Sequence, residues 1–547
     1  MNIHDIVNQE KTWTLQSQWF SWSCGFMVNG QAQSAPFKSL GSRLYDYGDS
    51  GVYVGLHEFL CIDRDTHDCW EWSGHWRLVH RADGCVYGDG CRWPQKNGWV
   101  LVEQEADQVR LVLIYDDGRK DILHQSWGIG SPRISPAGDL LYVSWDKEHM
   151  PWDQTDVWWM QIDGQKKKLI LPTAAWMQPI WLNDTHVLTL GDPEGRWQCY
   201  QLELSSQTLT PFVSTSGEIG DAEWSRGMRF HAYLDGAWCG VIHYAGLARW
   251  VLQDSSGLQH ILPIQGVHTD IFTDQNSFYI QSAGPQGPVI TQVSPLGQVI
   301  DSTASTEPTC SYRQLWLPTK NGCLQAWFIG ASDQPKPWIC WLHGGPTGQQ
   351  GPHKSVFDAY LDMGLVVVVV QFSGSTGLGR AHRQQLYGQW GVADVAQIID
   401  VLEAGVNLGY LEREKGFIMG RSASGLSACL CAQQWPLAGL ILYYPVVDTA
   451  ALCAHMSHFE GPYTERLLGC DSPDPPNVPI CHIHGDDDRV VPLASVEGWF
   501  SGVPAFHLNQ LILPGQGHSL TAEGKEKASM FELGFIKKLL SISGSCT

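Results

Sequence analysis

Up to about residue 310 the chain carries short runs of alternating apolar and polar positions, broken by turn residues, without a long amphipathic helix. A period of two is typical of half-buried strands. A unit of turn plus apolar run recurs about every 40–50 residues, the size of a four-stranded propeller blade. The pattern predicts an all-β propeller, most simply of seven blades with the first two faint; a pair of β-sandwiches is the alternative. Representative runs are 138–146, 157–164, 196–204 and 277–284.

From about residue 330 onward the pattern changes to strands that alternate with helices. Residues 364–372 form an apolar run typical of a strand buried on both faces, and 391–405 has apolar residues at helical spacing. Such alternation predicts a parallel, doubly wound sheet. The other predicted elements are strands at 337–345, 416–420, 437–445, 478–485 and 506–515, a helix that Pro436 ends, and a closing helix over Gly524–Leu540.

A chain of 547 residues is too long for one ordinary core, so the change of pattern is read as a change of domain. We predict an N-terminal extension over 1–20, a β-propeller over 21–315 and an α/β domain over 316–547. The 26 tryptophans favour a large share of β-structure, because Trp suits pleated, half-buried surfaces.

A net charge of −21 argues against a nucleic-acid partner, which would need a basic footprint. The first 30 residues lack the basic start and apolar core of a secretion signal, and the apolar run 364–370 is too short to span a bilayer. The 16 cysteines show no paired spacing for zinc. We therefore expect reduced thiols in a cytoplasmic protein with no membrane partner.

The chemistry centres on Gly420-Arg421-Ser422-Ala423-Ser424-Gly425, which follows an apolar strand and precedes a helix. A nucleophile elbow sits at such a junction and lifts a serine above the sheet. The usual pattern is G-x-S-x-G, and here Ser424 occupies the second glycine position. Ser422 is preferred over Ser424 as the nucleophile, because Ser424 would lie inside the first helical turn.

Two further strand ends carry candidate partners for this serine. After the strand 478–485 come Asp486, Asp487 and Asp488, and spacing alone does not choose among them. After the last strand, His518 follows a glycine-rich turn, from which it can reach over the sheet. The order Ser, Asp, His along the chain is that of α/β-hydrolases, so 316–547 is predicted to be an α/β-hydrolase catalytic domain.

A fourth element, His343-Gly344-Gly345-Pro346, follows an early strand. Glycine here lets a backbone N–H point at a substrate carbonyl oxygen, and with the N–H of Ala423 it would form an oxyanion hole. No glycine-rich phosphate loop, dinucleotide fingerprint or HExxH motif occurs in the sequence. We therefore expect chemistry that needs no cofactor and no metal.

With these motifs in view, the chain resembles the prolyl oligopeptidase family of serine peptidases, in particular its acylaminoacyl-peptidase and dipeptidyl-aminopeptidase-like bacterial branch. The resemblance covers roughly residues 125–540 and is weak before that. The segments that carry it are 131–158, HGGP at 343–346, 374–395, GRSASG at 420–425, HGDDDRVVP at 484–492 and GQGH at 515–518.

Carried over by position, the family pattern implies Ser422 as nucleophile, Asp488 as the triad aspartate and His518 as base, with Gly345 and Ala423 as oxyanion donors. It also implies a propeller that caps the hydrolase domain and admits short peptides. Two departures matter. Ser424 replaces a glycine usual in the family, and the diverged first 120 or so residues show no recognisable glutamate pair for a free α-amino group.

Three functions are therefore candidates for this chain. The first is hydrolysis of short peptides or N-acylated peptides through an acyl-enzyme. The second is esterase or amidase action on a non-protein, peptide-like or acylated small molecule, since the same triad serves either bond. The third, a binding module without catalysis, is disfavoured because every triad residue type is present. The sequence leaves open the preferred residue beside the scissile bond and whether the chain forms a homo-oligomer.

Overall fold

The computed structural model describes residues 76–542 apart from 83, 225, 265–266, 274–275, 285–286, 303–310, 320–321, 353–355 and 456–458; before residue 76 it describes five short strands. The chain forms two compact units. One runs to His243 and resumes over Ala248–Ser305, and the other consists of Tyr244–Leu247 and the chain from Thr306 onward. Within the described residues, no helix combines the length and apolar composition needed to cross a membrane.

The first unit is built from successive four-stranded antiparallel sheets, one of which carries a fifth strand. Each sheet uses strands that are consecutive in the chain, as propeller blades do. The sheets are Val52–Val54, Phe59–Ile62, Cys69–Trp72, Trp76–His80; Val86–Trp93, Gly98–Glu105, Gln108–Tyr115, Lys120–Ser126; Gly128–Ile134, Leu140–Trp145, Asp156–Met160, Lys166–Lys168; Met177–Trp181, His186–Gly191, Gln198–Glu203, Thr208–Val213; Glu218–Ile219, His231–Leu234, Ala237–Tyr244, Leu247–Gln253, Gln259–Ile261; and Val267–Thr273, Phe278–Gly284, Gly287–Val293, Val299–Ser302.

This arrangement confirms the all-β propeller and argues against the sandwich alternative, which would need strands shared between two large sheets. Among the described residues there are six such sheets and one two-stranded ladder, Met27–Val28 with Gln31–Ala32. The seventh blade and the extension over 1–20 fall on residues that lie largely outside the described ones, so both remain predictions.

The second unit contains one eight-stranded sheet, confirming the α/β prediction. Six neighbouring strands are parallel and two antiparallel strands extend one edge. Across the sheet the order is Tyr312–Thr319, Gly322–Ile329, Val366–Gln371, Lys336–Trp341, Leu411–Arg421, Gly439–Tyr443, Ile480–Gly485 and Leu508–Leu513. The predicted domain boundary at 315/316 falls within the edge strand Tyr312–Thr319.

The helices of this unit are Val356–Asp362, Arg380–Gln384, Ala393–Asn407, Ser424–Gln434, Thr449–His455, Glu460–Leu467, Ala494–Ser501 and Ala522–Ile542. The helix predicted at 391–405 is therefore present with a shift of two residues, and the helix before Pro436 ends at Gln434. All residues of Val366–Gln371 are buried, as expected for a strand covered on both faces. On one face the core includes Trp341, Val369 and Phe417, joined by Phe535 of the closing helix.

Candidate active site

The site forms where three parallel strands end at the same edge of the sheet. Ser422 follows Leu411–Arg421 directly, Asp488 lies just beyond Ile480–Gly485, and His518 lies beyond Leu508–Leu513. Because parallel strands present their carboxyl ends on one side, loops that are far apart in sequence meet there. The sheet topology thus brings together the serine, aspartate and histidine predicted from the sequence.

Ser422 occupies a sharp turn between its strand and the helix Ser424–Gln434. Its φ of 52° lies in the left-handed region, which a residue with a side chain adopts only where the surroundings impose it. The Ser422 carbonyl accepts hydrogen bonds from the N–H groups of Gly425 (2.9 Å) and Val446 (2.9 Å), and its own N–H donates to Tyr443 O (3.1 Å). The strained turn is therefore held on both sides, as a nucleophile elbow requires.

Glycines on either side of Ser422 are required by close packing. A Cβ at Gly420 would lie 2.5 Å from the Ser424 carbonyl oxygen, and one at Gly425 would lie 2.4 Å from Pro445 Cβ. Both distances are far below van der Waals contact. These two glycines allow the helix to begin directly against the strand end.

The second serine of the motif has a different place. Ser424 is buried, and its Oγ accepts a hydrogen bond from the Arg421 N–H (2.8 Å) and donates one to the Arg421 carbonyl (3.0 Å). Its side chain thus braces the inside of the turn. The position that usually holds glycine is filled here by a hydroxyl that satisfies backbone groups of the elbow.

His518 links the serine to the aspartate. Ser422 Oγ lies 3.0 Å from His518 Nε2, and His518 Nδ1 lies 2.8 Å from Asp488 Oδ2. With a carboxylate as the partner of Nδ1, that nitrogen carries the proton, which leaves Nε2 as the acceptor for the serine hydroxyl. The ring of Tyr444 packs against His518, with centroids 4.4 Å apart.

The three aspartates are clearly separated by their surroundings. Asp486 and Asp487 are exposed, whereas Asp488 is only 4% exposed. Asp488 Oδ1 accepts hydrogen bonds from the backbone N–H groups of Val490 and Val491, both at 2.9 Å. Burial by itself would raise the pKa of Asp488, but hydrogen bonds from His484 and His518 outweigh it and hold this pKa well below its usual value. Asp488 is therefore the ionised carboxylate beside His518.

The glycine loop after Lys336–Trp341 passes beside the elbow. A Cβ at Gly344 would lie 3.9 Å from Ser422 Cβ, and Gly345 has a φ of 70°. His343 anchors the loop: its Nε2 lies 2.8 Å from Ser375 Oγ, and its ring stacks on Phe372 with centroids 4.3 Å apart.

The second predicted oxyanion donor, the N–H of Ala423, lies at the start of a helix. There backbone N–H groups have no acceptor within the helix and favour negative charge. The N–H of Ala423 is thus suited to an anionic oxygen beside Ser422.

A partly buried cation lies behind the elbow. The Arg421 guanidinium lies between the rings of Trp341 (4.3 Å) and Tyr443 (4.4 Å). Burial would lower the pKa of Arg421, but the nearby Tyr444 and Tyr443 outweigh it and raise this pKa. The only sequence signal was an arginine flanked by predicted core positions.

A buried carboxylate from the closing helix completes this network. Glu532 accepts hydrogen bonds from Tyr443 (2.6 Å) and Tyr360, and burial raises its pKa. The network fixes the strand end and the neighbouring Tyr443 against the helix Ala522–Ile542. No sequence motif pointed to Glu532.

A strained serine turn, an imidazole and a carboxylate at the strand ends of a largely parallel sheet are the features of the α/β-hydrolase class. Residues 354–543 match the family model described as "Prolyl oligopeptidase family". The hydrolase segment of this chain thus matches the prolyl oligopeptidase family, which confirms the resemblance drawn from the sequence.

Curated relatives match over part of the chain. Dipeptidyl-peptidase 5 of Aspergillus fumigatus is 24% identical over 270 residues, 44% of this chain and 37% of that protein. Acylamino-acid-releasing enzyme 2 of Oryza sativa subsp. japonica is 24% identical over 251 residues, 40% of this chain and 32% of that protein. The chain thus spans about a third of the length of these relatives.

Solved structures match over nearly the whole chain. A puromycin-hydrolyzing peptidase of Mycobacterium tuberculosis superimposes with a TM-score of 0.83 at 21% identity, covering 94% of this chain and 90% of its own. The acylaminoacyl peptidase of Pyrococcus horikoshii gives a TM-score of 0.61 at 14% identity, covering 89% and 86%. At these identities the likeness establishes the shared fold.

Proposed function

We propose that this chain is a serine peptidase that hydrolyses short peptides or N-acylated peptides through an acyl-enzyme. The observation that carries the proposal is the continuous hydrogen-bond path from Ser422 Oγ through His518 to Asp488, at 3.0 and 2.8 Å. In this arrangement the imidazole can take the serine proton, and the buried carboxylate stabilises the cation that results.

The proposed reaction has two halves. Ser422 Oγ attacks the scissile carbonyl carbon while His518 Nε2 takes its proton, and the oxyanion is stabilised by the N–H groups of Gly345 and Ala423. His518 then returns the proton to the leaving amine as the C–N bond breaks. Water, deprotonated by His518, cleaves the acyl-enzyme and regenerates Ser422. The roles of all five residues belong to the proposal.

The test combines active-site labelling with cleavage. We expect a fluorophosphonate probe to label the wild-type protein at Ser422 and the Ser422→Ala variant to lose both labelling and hydrolysis of acyl-aminoacyl and dipeptidyl chromogenic substrates. Removal of a triad serine typically lowers kcat by about 10⁶-fold. Retained cleavage in a folded Ser422→Ala protein would show that another nucleophile is used.

A second candidate is amidase action on a small aminoacylated molecule rather than on a peptide. It is favoured by one finding, that a structural neighbour is named for the hydrolysis of puromycin. Parallel assays with free aminoacyl, acyl-aminoacyl and simple ester substrates separate the two. Strong ester or small-amide turnover without peptide cleavage would replace the first proposal with the second. The cytoplasmic location expected from cysteine usage remains a prediction.

A further inference from the structure

A second hydrogen-bond path reaches Asp488 from inside the sheet. His482 and His484 are two residues apart in the strand Ile480–Gly485, so both side chains project from the same face of the sheet. His482 Nε2 lies 3.1 Å from His484 Nδ1. His484 Nε2 in turn lies 2.9 Å from Val491 O and 3.5 Å from Asp488 Oδ2. Two histidines thus stand in line behind the triad carboxylate.

The outer end of this path lies on the neighbouring strand, Leu508–Leu513. Gln510 is the register partner of His482, and its amide Nε2 lies 2.9 Å from His482 Nδ1. His482 is further fixed by Phe500, whose ring stacks on it with centroids 3.7 Å apart. The path therefore runs from an exposed amide to the buried carboxylate.

The acceptors at the inner end fix the direction of every hydrogen bond. Val491 O and the ionised Asp488 only accept, so His484 Nε2 carries its proton and, in the neutral ring, Nδ1 accepts. His482 must then donate from Nε2 and accept at Nδ1. The Gln510 amide supplies that donor. The reverse direction would leave Nε2 of a neutral His484 without a proton while it faces two oxygens.

Burial keeps this arrangement in place. His482 and His484 are both 0% exposed. Burial, with His484 as a lesser cause, lowers the pKa of His482 well below its usual value, so this ring stays neutral. The titratable groups in contact with Asp488 are His484 and His518, because the adjacent Asp487 and Arg489 point to solvent.

We propose that His484, oriented by His482, is a positioning residue that fixes the Asp488 carboxylate for its hydrogen bond with His518. The inference rests on the proposed function of the triad. The His484 N–H, whose main acceptor is Val491 O, also faces Oδ2 at 3.5 Å and stabilises its negative charge, and the backbone N–H groups of Val490 and Val491 hold Oδ1. Only the direction toward His518 Nδ1 then remains for a strong hydrogen bond, which keeps the imidazole in line with Ser422.

Two amide variants of His484 separate positioning from packing. In His484→Gln the amide nitrogen stands near the place of Nε2 and can still donate to Val491 O and Asp488. In His484→Asn the shorter amide stands near the place of Nδ1 and keeps only the contact with His482. The readout is the second-order rate of fluorophosphonate labelling at Ser422 across pH, which needs no knowledge of the natural substrate.

We expect His484→Gln to label within twofold of wild type and His484→Asn to label about two- to tenfold more slowly near neutral pH, the rate equivalent of one hydrogen bond. The acid limb of the His484→Asn profile should also move to higher pH. Without the His484 N–H, more negative charge on Asp488 faces His518 and stabilises its protonated form.

A further variant keeps the inference testable if His484→Asn does not fold, as judged by thermal unfolding. His482→Phe retains the stack on Phe500 and removes the donor that orients His484, so it should shift the acid limb in the same direction by less. Equal rates and unshifted acid limbs in all three variants would overturn the positioning role while leaving the triad intact. Absence of labelling at Ser422 in wild type would instead overturn the proposed function itself.

Discussion

The pKa values of several side chains in this protein are shifted mainly by burial. In the first unit, Glu223 is buried against Gln178, whose Nε2 donates to its carboxylate at 2.6 Å. Burial raises the pKa of Glu223 to about 7, and the negative charge of Asp89 adds to this, against smaller lowering effects of Gln178 and Arg133. The folded protein therefore binds this proton more tightly than the unfolded chain does.

This shift predicts a pH-dependent stability. The contribution of protonated Glu223 is fully present below its unfolded pKa of about 4.3 and is lost as the pH rises through about 7. Glutamine cannot ionise, so the free energy of unfolding of Glu223→Gln relative to wild type should rise by about 2–3 kcal/mol between pH 5 and pH 8. Melting temperatures at several pH values check this. The exposed Glu194→Gln serves as control. A difference in the free energy of unfolding between Glu223→Gln and wild type that stays constant from pH 5 to pH 8 would refute the prediction.

The elements adjust to one another through local irregularities. Bulges interrupt the first strand of several blades, between Gly88 and Gly90, Gly130 and Arg133, and Met177 and Ile180. At each of these three bulges a residue other than glycine has a positive φ: Asp89, Ser131 and Gln178. The elbow at Ser422 is the corresponding irregularity of the hydrolase sheet. In each case neighbouring elements, rather than local preference, impose the backbone conformation.

The two serines of the elbow should therefore respond differently to alanine. Ser424→Ala leaves backbone groups of Arg421 without their hydroxyl partner, and we expect a loss of about 1–2 kcal/mol in the free energy of unfolding. Fluorophosphonate labelling at Ser422 should persist in Ser424→Ala at temperatures where the variant is folded. Ser422→Ala should show the converse, no labelling with folding retained. Loss of labelling in folded Ser424→Ala would assign Ser424 a part in the chemistry.

The second unit is completed by a segment from far earlier in the chain, Tyr244–Leu247. Trp327 Nε1 donates to Ala245 O at 2.9 Å, and Gly246 N donates to Gln349 Oε1 at 3.2 Å. Gly246 has a φ of 83°, and a Cβ there would lie 2.5 Å from Gln350 O. A domain boundary drawn where the sequence pattern changes would therefore leave these four residues out of the second unit.

Gly246→Ala is accordingly expected to destabilise the second unit. A left-handed alanine costs about 1–2 kcal/mol, and forcing a methyl against a backbone carbonyl adds about 1–3 kcal/mol. Gly257→Ala is the matched control, because Gly257 has a φ of 86° with open space around its Cβ position. Labelling at Ser422 after incubation at rising temperature should fail earlier in Gly246→Ala than in Gly257→Ala. Equal losses would mean that the contact at Gly246 relaxes without cost.

The two kinds of domain and the order of serine, aspartate and histidine along the chain could be predicted from the sequence alone. Period-two alternation, the buried run around Val366 and the helical spacing at 391–405 are local properties, and hydrophobic patterning fixes which faces are buried. The small residues around Ser422 and the histidine after the last strand could be recognised in the sequence, because an elbow and a strand-end loop restrict residue types locally.

Which of several equivalent residues meet became visible only in the folded structure. It separated Asp488 from Asp486 and Asp487 by burial, and placed His484 behind that carboxylate. Through Tyr443, it also linked Arg421 to Glu532, more than 100 residues later in the chain. Such contacts depend on the pairing of strands and the docking of helices, which bring together positions with no local signature. For this reason Ser422 could be singled out from its own motif, whereas the residues that support it became visible only in the folded chain.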